Sequence, residues 1–404
     1  MRRILPLLLS TLAALPASGE GAGDFLREGD ASLDLRYRLE DVSQDGLAKD
    51  AQANTLRLRL GLKSGKVAGF SAHVEGDHVF AIGPDNYNDT RNGETAYPVV
   101  ADPEGTDLNQ AWLQYEGARG TLLRAGRQRI GLDDERFIGS VGWRQNEQTF
   151  DAFRFDTKAL PRTTLTYAYV DRVQRVFGPD DGAPPEALLS DSHLLNVKLA
   201  PTTVGTLTFY GYFLDFANAP QLSSETLGLR DDGEHAVGEK WKLGWTLEYA
   251  QQNDTGDNTA DINASYSRLE LRLQSGPATV TAGRELLGGE RGEFTAAENP
   301  AFQTPLATLH RWQGWADKFL TTPSAGIDDR YLGVGVKLAG WSGQVAWHDF
   351  GAQATGASYG TERDLSVGKK FADRYDLLVK YADYAADGFL TDTTKFWVQF
   401  AASF

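Results

Sequence analysis

The sequence predicts an all-β chain that closes into an antiparallel transmembrane β-barrel of about 18 strands, with long extracellular loops partly occluding the pore. Three observations predict it. Side-chain polarity alternates with a period of two from end to end, short and long links alternate between the runs, and the chain opens on an export signal and closes on an aromatic strand.

The export signal comes first. Arg2 and Arg3 precede the apolar run from Ile4 to Leu15, and Ala17-Ser18-Gly19 offers small residues for a signal peptidase. The run is too short to anchor in a bilayer. Cleavage after Gly19 divides the chain into a signal peptide, 1–19, and one barrel domain, 20–404, with no linker or composition break inside it.

The alternation follows. Leu33, Leu35, Tyr37 and Leu39 alternate with Asp34, Arg36, Arg38 and Glu40, and Leu56, Leu58, Leu60 and Leu62 with Thr55, Arg57, Arg59 and Lys63. In 266–274 Leu269, Leu271 and Leu273 alternate with Arg268, Glu270, Arg272 and Gln274. Successive strand side chains point to opposite faces, so each run has an apolar and a charged side. Strands are expected at 29–43, 52–64, 69–81, 106–117, 120–130, 147–158, 161–174, 190–200 and 204–217. Nine more are expected at 222–231, 238–251, 261–274, 277–288, 327–339, 341–351, 359–371, 374–386 and 392–404.

Periodicity alone does not separate a barrel from a soluble sandwich, but the links do. Gly117-Ala118-Arg119-Gly120, Ser275-Gly276-Pro277 and Ala339-Gly340-Trp341 are tight turns, whereas 82–105, 131–146, 175–189 and 289–326 are long and polar. With the N-terminus in the periplasm, every long link falls on the outer side, as outer-membrane barrels require. The last strand presents Phe396, Val398, Phe400, Ala402 and Phe404 on one face. A terminal phenylalanine resembles the signal read by the outer-membrane assembly machinery, so that machinery is an expected partner through Phe404. Bacterial outer-membrane lipid and lipopolysaccharide are the expected surroundings.

Composition narrows the function. A net charge of −15 argues against nucleic acid as a partner. Zero cysteines leave no disulfide framework and no thiolate chemistry. Gly356-Ala357-Ser358-Tyr359-Gly360 has the letters of a nucleophile elbow, but it lacks the strand–turn–helix setting that an elbow needs. The six histidines show no zinc-ligand spacing, and no His/Ser pair marks a lipid-facing hydrolase, so no enzyme and no required cofactor is expected. Asp85-Asn86-Tyr87-Asn88-Asp89 and Asn253-Asp254-Thr255-Gly256-Asp257-Asn258 are rich in oxygen ligands. They read as turn chemistry, with structural Ca2+ in these outer loops as the alternative.

The segment 124–154 concentrates arginine and acid. It holds Arg124, Arg127, Arg129, Arg136, Arg144 and Arg154 beside Asp133, Asp134, Glu135, Glu147 and Asp151. Its Gly126-Arg127-Gln128, the run from Arg136 to Asn146, and Thr149-Phe150-Asp151-Ala152 resemble the alginate export family of outer-membrane proteins. Phe302-Gln303-Thr304-Pro305 and the run from Gly314 to Phe319 extend the likeness. The resemblance implies a barrel narrowed by inward loops, lined by arginines, and passing an anionic uronate polysaccharide.

Loops 131–146 and 289–326 are therefore expected in the bore. Arg57, Arg59, Arg127, Arg129, Arg136, Arg144 and Arg154 are the candidate pore-lining, anion-binding residues. Arg268, Arg272 and Arg284 also sit on polar faces. The competing reading is a structural ion-pair network, because guanidinium and carboxylate pair strongly. The predicted function is passive transfer of hydrophilic, anionic solutes or polysaccharide. A general or small-acid porin is the alternative, and a structural or adhesive barrel with a closed bore is the alternative of another class. Anion preference is expected despite the acidic total, because acids such as Asp180-Asp181, Asp231-Asp232 and Asp328-Asp329 are placed on screened outer links.

Overall fold

The computed structural model describes residues 28–200 and 205–404, so the expected signal peptide at 1–19 lies outside the described residues. Eighteen strands form one sheet. The first half runs β1 (Asp30–Gln44), β2 (Ala51–Lys63), β3 (Phe70–Ala81), β4 (Gly105–Glu116), β5 (Leu122–Gln128), β6 (Thr149–Thr157), β7 (Thr163–Gln174), β8 (Ala187–Leu199) and β9 (Thr206–Leu214). The second runs β10 (Ser224–Val237), β11 (Trp241–Asp254), β12 (Asn263–Ser275), β13 (Ala278–Leu287), β14 (Ile327–Leu338), β15 (Trp341–Gly351), β16 (Ser358–Phe371), β17 (Tyr375–Ala386) and β18 (Thr393–Ser403). Every neighbouring pair is antiparallel, and β1 pairs with β18 from Asp34↔Ser403 to Gln44↔Thr393. That last pairing closes the barrel, which removes the free edges that hydrocarbon would leave unsatisfied.

The expected strands are all present, with shifted ends. β10 runs six residues past its expected end at 231, because it pairs with β11 down to Val237↔Trp241. Asp231 and Asp232 therefore lie within a strand rather than in an outer link, as do Asp328 and Asp329 of β14. β5 is shorter than expected, because Arg129 leaves the ladder to pair with Glu75 and Glu147.

The outer wall is apolar and exposed. Leu60, Leu62, Val74, Leu332 and Val345 are each more than half exposed, a pattern that water would penalise and hydrocarbon satisfies. The inner positions of the same strands are polar and buried, as with Arg57 and Arg59 of β2 and Asp77 of β3. Trp241, Trp341, Phe371 and Phe404 crowd the rim that carries the short turns, where aromatic rings suit a membrane interface.

Candidate pore lining

Two long links turn inward because both carry apolar side chains that the outer mouth would leave in water. Ile130, Leu132, Phe137 and Ile138 from link 129–148 bury inside the barrel with Phe302 and Leu306 from link 288–326. The Phe137 ring lies 5.2 Å from the rings of Tyr210 and Tyr266 on the wall. The links also bond to one another: the Gly139 amide donates to Leu306 O at 2.8 Å, and the Thr308 amide to Glu135 O at 3.0 Å. Together they make one plug.

Charged groups bind the plug to the wall. The Asp134 carboxylate accepts from Arg230 and Arg268, both at 2.6 Å. Burial opposes its charge, but the two guanidiniums hold it down at about 2. Glu147 accepts from Arg59 at 2.6 Å and from Arg129, and against the same cost of burial these arginines hold it at about 2. Gln145 donates to Thr55 Oγ1 at 2.9 Å, and the Ala316 amide donates to Glu362 at 2.7 Å. A third link, 82–104, contributes Asp102, which accepts from the Gln145 amide at 2.7 Å and pairs with Arg38.

The expected pore arginines separate into distinct roles. Arg59 pairs with Asp77 and Glu147, each at 2.6 Å, Arg129 with Glu75 at 2.7 Å and Glu147, and Arg136 with Glu285 at 2.6 Å. Arg144 reaches Glu40 at 3.2 Å and Asp317 at 3.1 Å. Arg154 faces inward but is held by Asp156 at 2.7 Å. All five are anchored to carboxylates.

Arg127 does not line the bore. Register sets it opposite Ala111 and Asp151, on the face that Phe153 shows to lipid, where it pairs with Asp151 at 2.8 Å. Strict alternation is the reason, since Arg124 and Gln128 occupy the inward positions of β5. Of the seven candidates, only Arg57 borders the open space beneath the plug.

That space is a cavity of about 640 Å³ at the short-turn end of the barrel. Arg36, Arg57, Arg311, Lys370 and Arg374 face three carboxylates there, Asp34, Asp373 and Asp376. Arg57 is paired with Asp34. Among the described residues, Arg36, Arg311 and Arg374 have no carboxylate within salt-bridge distance; Arg36 donates instead to Gly142 O at 2.8 Å and Gln145 Oε1 at 2.9 Å.

The roof of the cavity is aromatic. Trp143 stacks on His310 with centroids 4.4 Å apart, and the Lys380 ammonium lies 4.1 Å over Trp143 and 3.9 Å over Trp315. Lys380 donates to His310 Nε2 at 2.7 Å, and His310 Nδ1 donates to Asp317 at 2.7 Å. Burial keeps His310 neutral by pushing it down to about 3, in keeping with an imidazole that accepts on one side and donates on the other.

Sequence reasoning missed Arg36, Arg311, Arg374 and Lys380. The signal for Arg36 was present, since it shares the polar face of 33–40 with Arg38. Arg311 and Arg374 had none, because they enter the bore from a link and a turn.

The oxygen-rich links show turn bonding. Asp89 Oδ1 accepts the amides of Arg91 and Asn92, and Asp254 Oδ1 accepts that of Ile262. No cluster of three or more His, Cys, Asp or Glu side chains suited to a metal occurs among the described residues.

Solved structures share the architecture. OpdO of Pseudomonas aeruginosa is similar at a TM-score of 0.72 and 14% identity, covering 95% of this chain and 99% of that one. OccAB4 of Acinetobacter baumannii matches at 0.72 and 14%, covering 93% and 98%. OpdK of Pseudomonas aeruginosa, solved with vanillate, matches at 0.71 and 15%, covering 94% and 99%. No curated protein matches the chain in sequence. Residues 30–169, about a third of the chain, match the Alginate export family, and these residues include the Gly-Arg-Gln strand end and the inward link 129–148. The chain is a bacterial outer-membrane β-barrel of porin-like architecture whose residues 30–169 match the alginate export family.

Proposed function

We propose that this barrel passes anionic, carboxylate-bearing solutes, including acidic polysaccharide, passively across the outer membrane. The observation that carries the reading is the cavity beneath the plug. Arg36, Arg311 and Arg374 border it without carboxylate partners, and Trp143 and Trp315 form an apolar roof beside them. In a confined, poorly screened space a few uncompensated guanidiniums outweigh acids on distant rims. Aromatic faces beside cations suit a ring that bears a carboxylate. The likeness to the alginate export family over residues 30–169 favours a polyuronate. The second reading, a small-acid porin, is favoured by the shared fold with OpdK, whose structure was solved with vanillate.

The test is the reversal potential of the reconstituted barrel in a salt gradient, wild type against Arg311→Gln with Arg374→Gln. Anion preference that falls in the double variant supports the proposal, and a cation-selective wild type overturns it. Block by oligouronate favours the polysaccharide, whereas block by aromatic monocarboxylates alone favours the small-acid porin. A barrel that inserts and shows no conductance steps would point to the closed structural or adhesive class.

A further inference from the structure

The charge of this chain is sorted along the barrel axis. The nine links on the outer side hold 23 Asp or Glu against 9 Lys or Arg, a net −14 of the chain's −15. Fourteen of those acids are exposed, among them Asp180, Asp181, Asp257 and Asp261, against exposed Lys49, Arg291 and Arg311, the last of which borders the inner cavity. The eight short turns at the other end hold 6 basic and 2 acidic residues, a net +4. The cavity just inside that end brings Arg36 of β1 and Arg311 of the plug beside Arg374, which is one of those six, and none of the three has a carboxylate partner among the described residues. An acidic outer collar and a basic inner vestibule thus lie at opposite ends of the barrel, with the plug between them.

We infer that the barrel is a rectifying channel whose easy direction for anions runs from the periplasm to the outside. This rests on the proposed anion conduction. The argument is the physics of two oppositely charged zones in series. When the outer side is positive, anions enter through the basic vestibule and cations through the acidic collar. Each ion is drawn from the end that concentrates it, so carriers accumulate in the bore. When the voltage reverses, each ion must enter through the end that repels it, and the bore is depleted. A polyanion gathered from the periplasm also leaves past a collar that opposes its return. The device does not pump, since fluxes balance at equilibrium; it makes conduction depend on the sign of the driving force.

The experiment uses the whole barrel inserted with one orientation in a planar bilayer, its sidedness fixed by protease added to one chamber. In potassium chloride of about 0.1 M, where the Debye length is about 10 Å, current at about 100 mV with the outer side positive should exceed the reverse current at least roughly twofold. At about 1 M the length falls to about 3 Å and the ratio should approach one. Asp180→Asn, Asp181→Asn, Asp257→Asn and Asp261→Asn together should lower the low-salt ratio while leaving the sign of the reversal potential unchanged. Symmetric currents at low salt, the opposite polarity, a ratio that persists at high salt, or one unmoved by the fourfold variant would each overturn the inference. Failure here is separable from failure of the proposed function. An anion-preferring but symmetric channel overturns only the rectification, whereas a cation-preferring one overturns the anion reading on which it rests.

Discussion

Replacing Glu147 by glutamine should loosen the plug without opening the barrel. The Glu147 carboxylate accepts from Arg59 Nη1 at 2.6 Å, from Arg129 Nε, and from Asn109 Nδ2 at 3.2 Å. Its proton affinity, held at about 2 against an ordinary 4.5, corresponds to about 3 kcal/mol favouring the ionised, docked form. That agrees in order with the roughly 3–5 kcal/mol lost when one partner of a buried pair is removed. Arg59 keeps Asp77 and Arg129 keeps Glu75, so the lower end applies. The sign with pH follows from a depressed carboxyl. The stabilisation is complete above the ordinary value of about 4.5 and is lost as pH falls toward about 2. Asp134, held at about 2 by Arg268 and Arg230 against burial, adds to the loss in the same window.

The assay is single-channel conductance with limited proteolysis. Glu147→Gln at neutral pH should give noisier, larger steps and new cleavage within 129–148, while the unheated protein still migrates as a folded barrel on gels. Wild type taken from pH 5 to pH 3 should move the same way, and the variant should show a smaller pH response. A variant as quiet and protease-resistant as wild type would refute the assignment of Glu147 as an anchor.

Other expectations are narrower. Arg127→Ala should leave ion selectivity unchanged because its guanidinium lies on the outer face with Asp151, whereas Arg129→Ala should alter the noise of the open channel by freeing one side of Glu147; a selectivity change in the first would contradict the register of β5. Deleting Phe404 should lower the amount of assembled barrel several-fold, read by heat-modifiable migration, because it removes the paired bonds between Phe404 and Leu33 and the edge contact of its ring with Tyr375.

The fold was legible in the sequence because a barrel strand writes its two environments into alternate residues. Leu56, Leu58, Leu60 and Leu62 against Arg57 and Arg59 say that one face meets hydrocarbon and the other does not. The alternation of tight turns with long links says which rim each end reaches. Those are local properties, and period and link length record them. Which arginine is free is not local. Arg59, Arg136 and Arg144 look no different in sequence from Arg36, yet the first three meet carboxylates on other elements, Asp77, Glu285 and Glu40, while Arg36 meets only carbonyl and amide oxygens. Arg127 was misplaced because a seven-residue strand gives too few alternations to fix its phase, and only pairing with β4 and β6 decides it. The sequence by itself determined the barrel and its charge; closure of the barrel determined which charges cancel, because cancellation depends on the distances that folding creates.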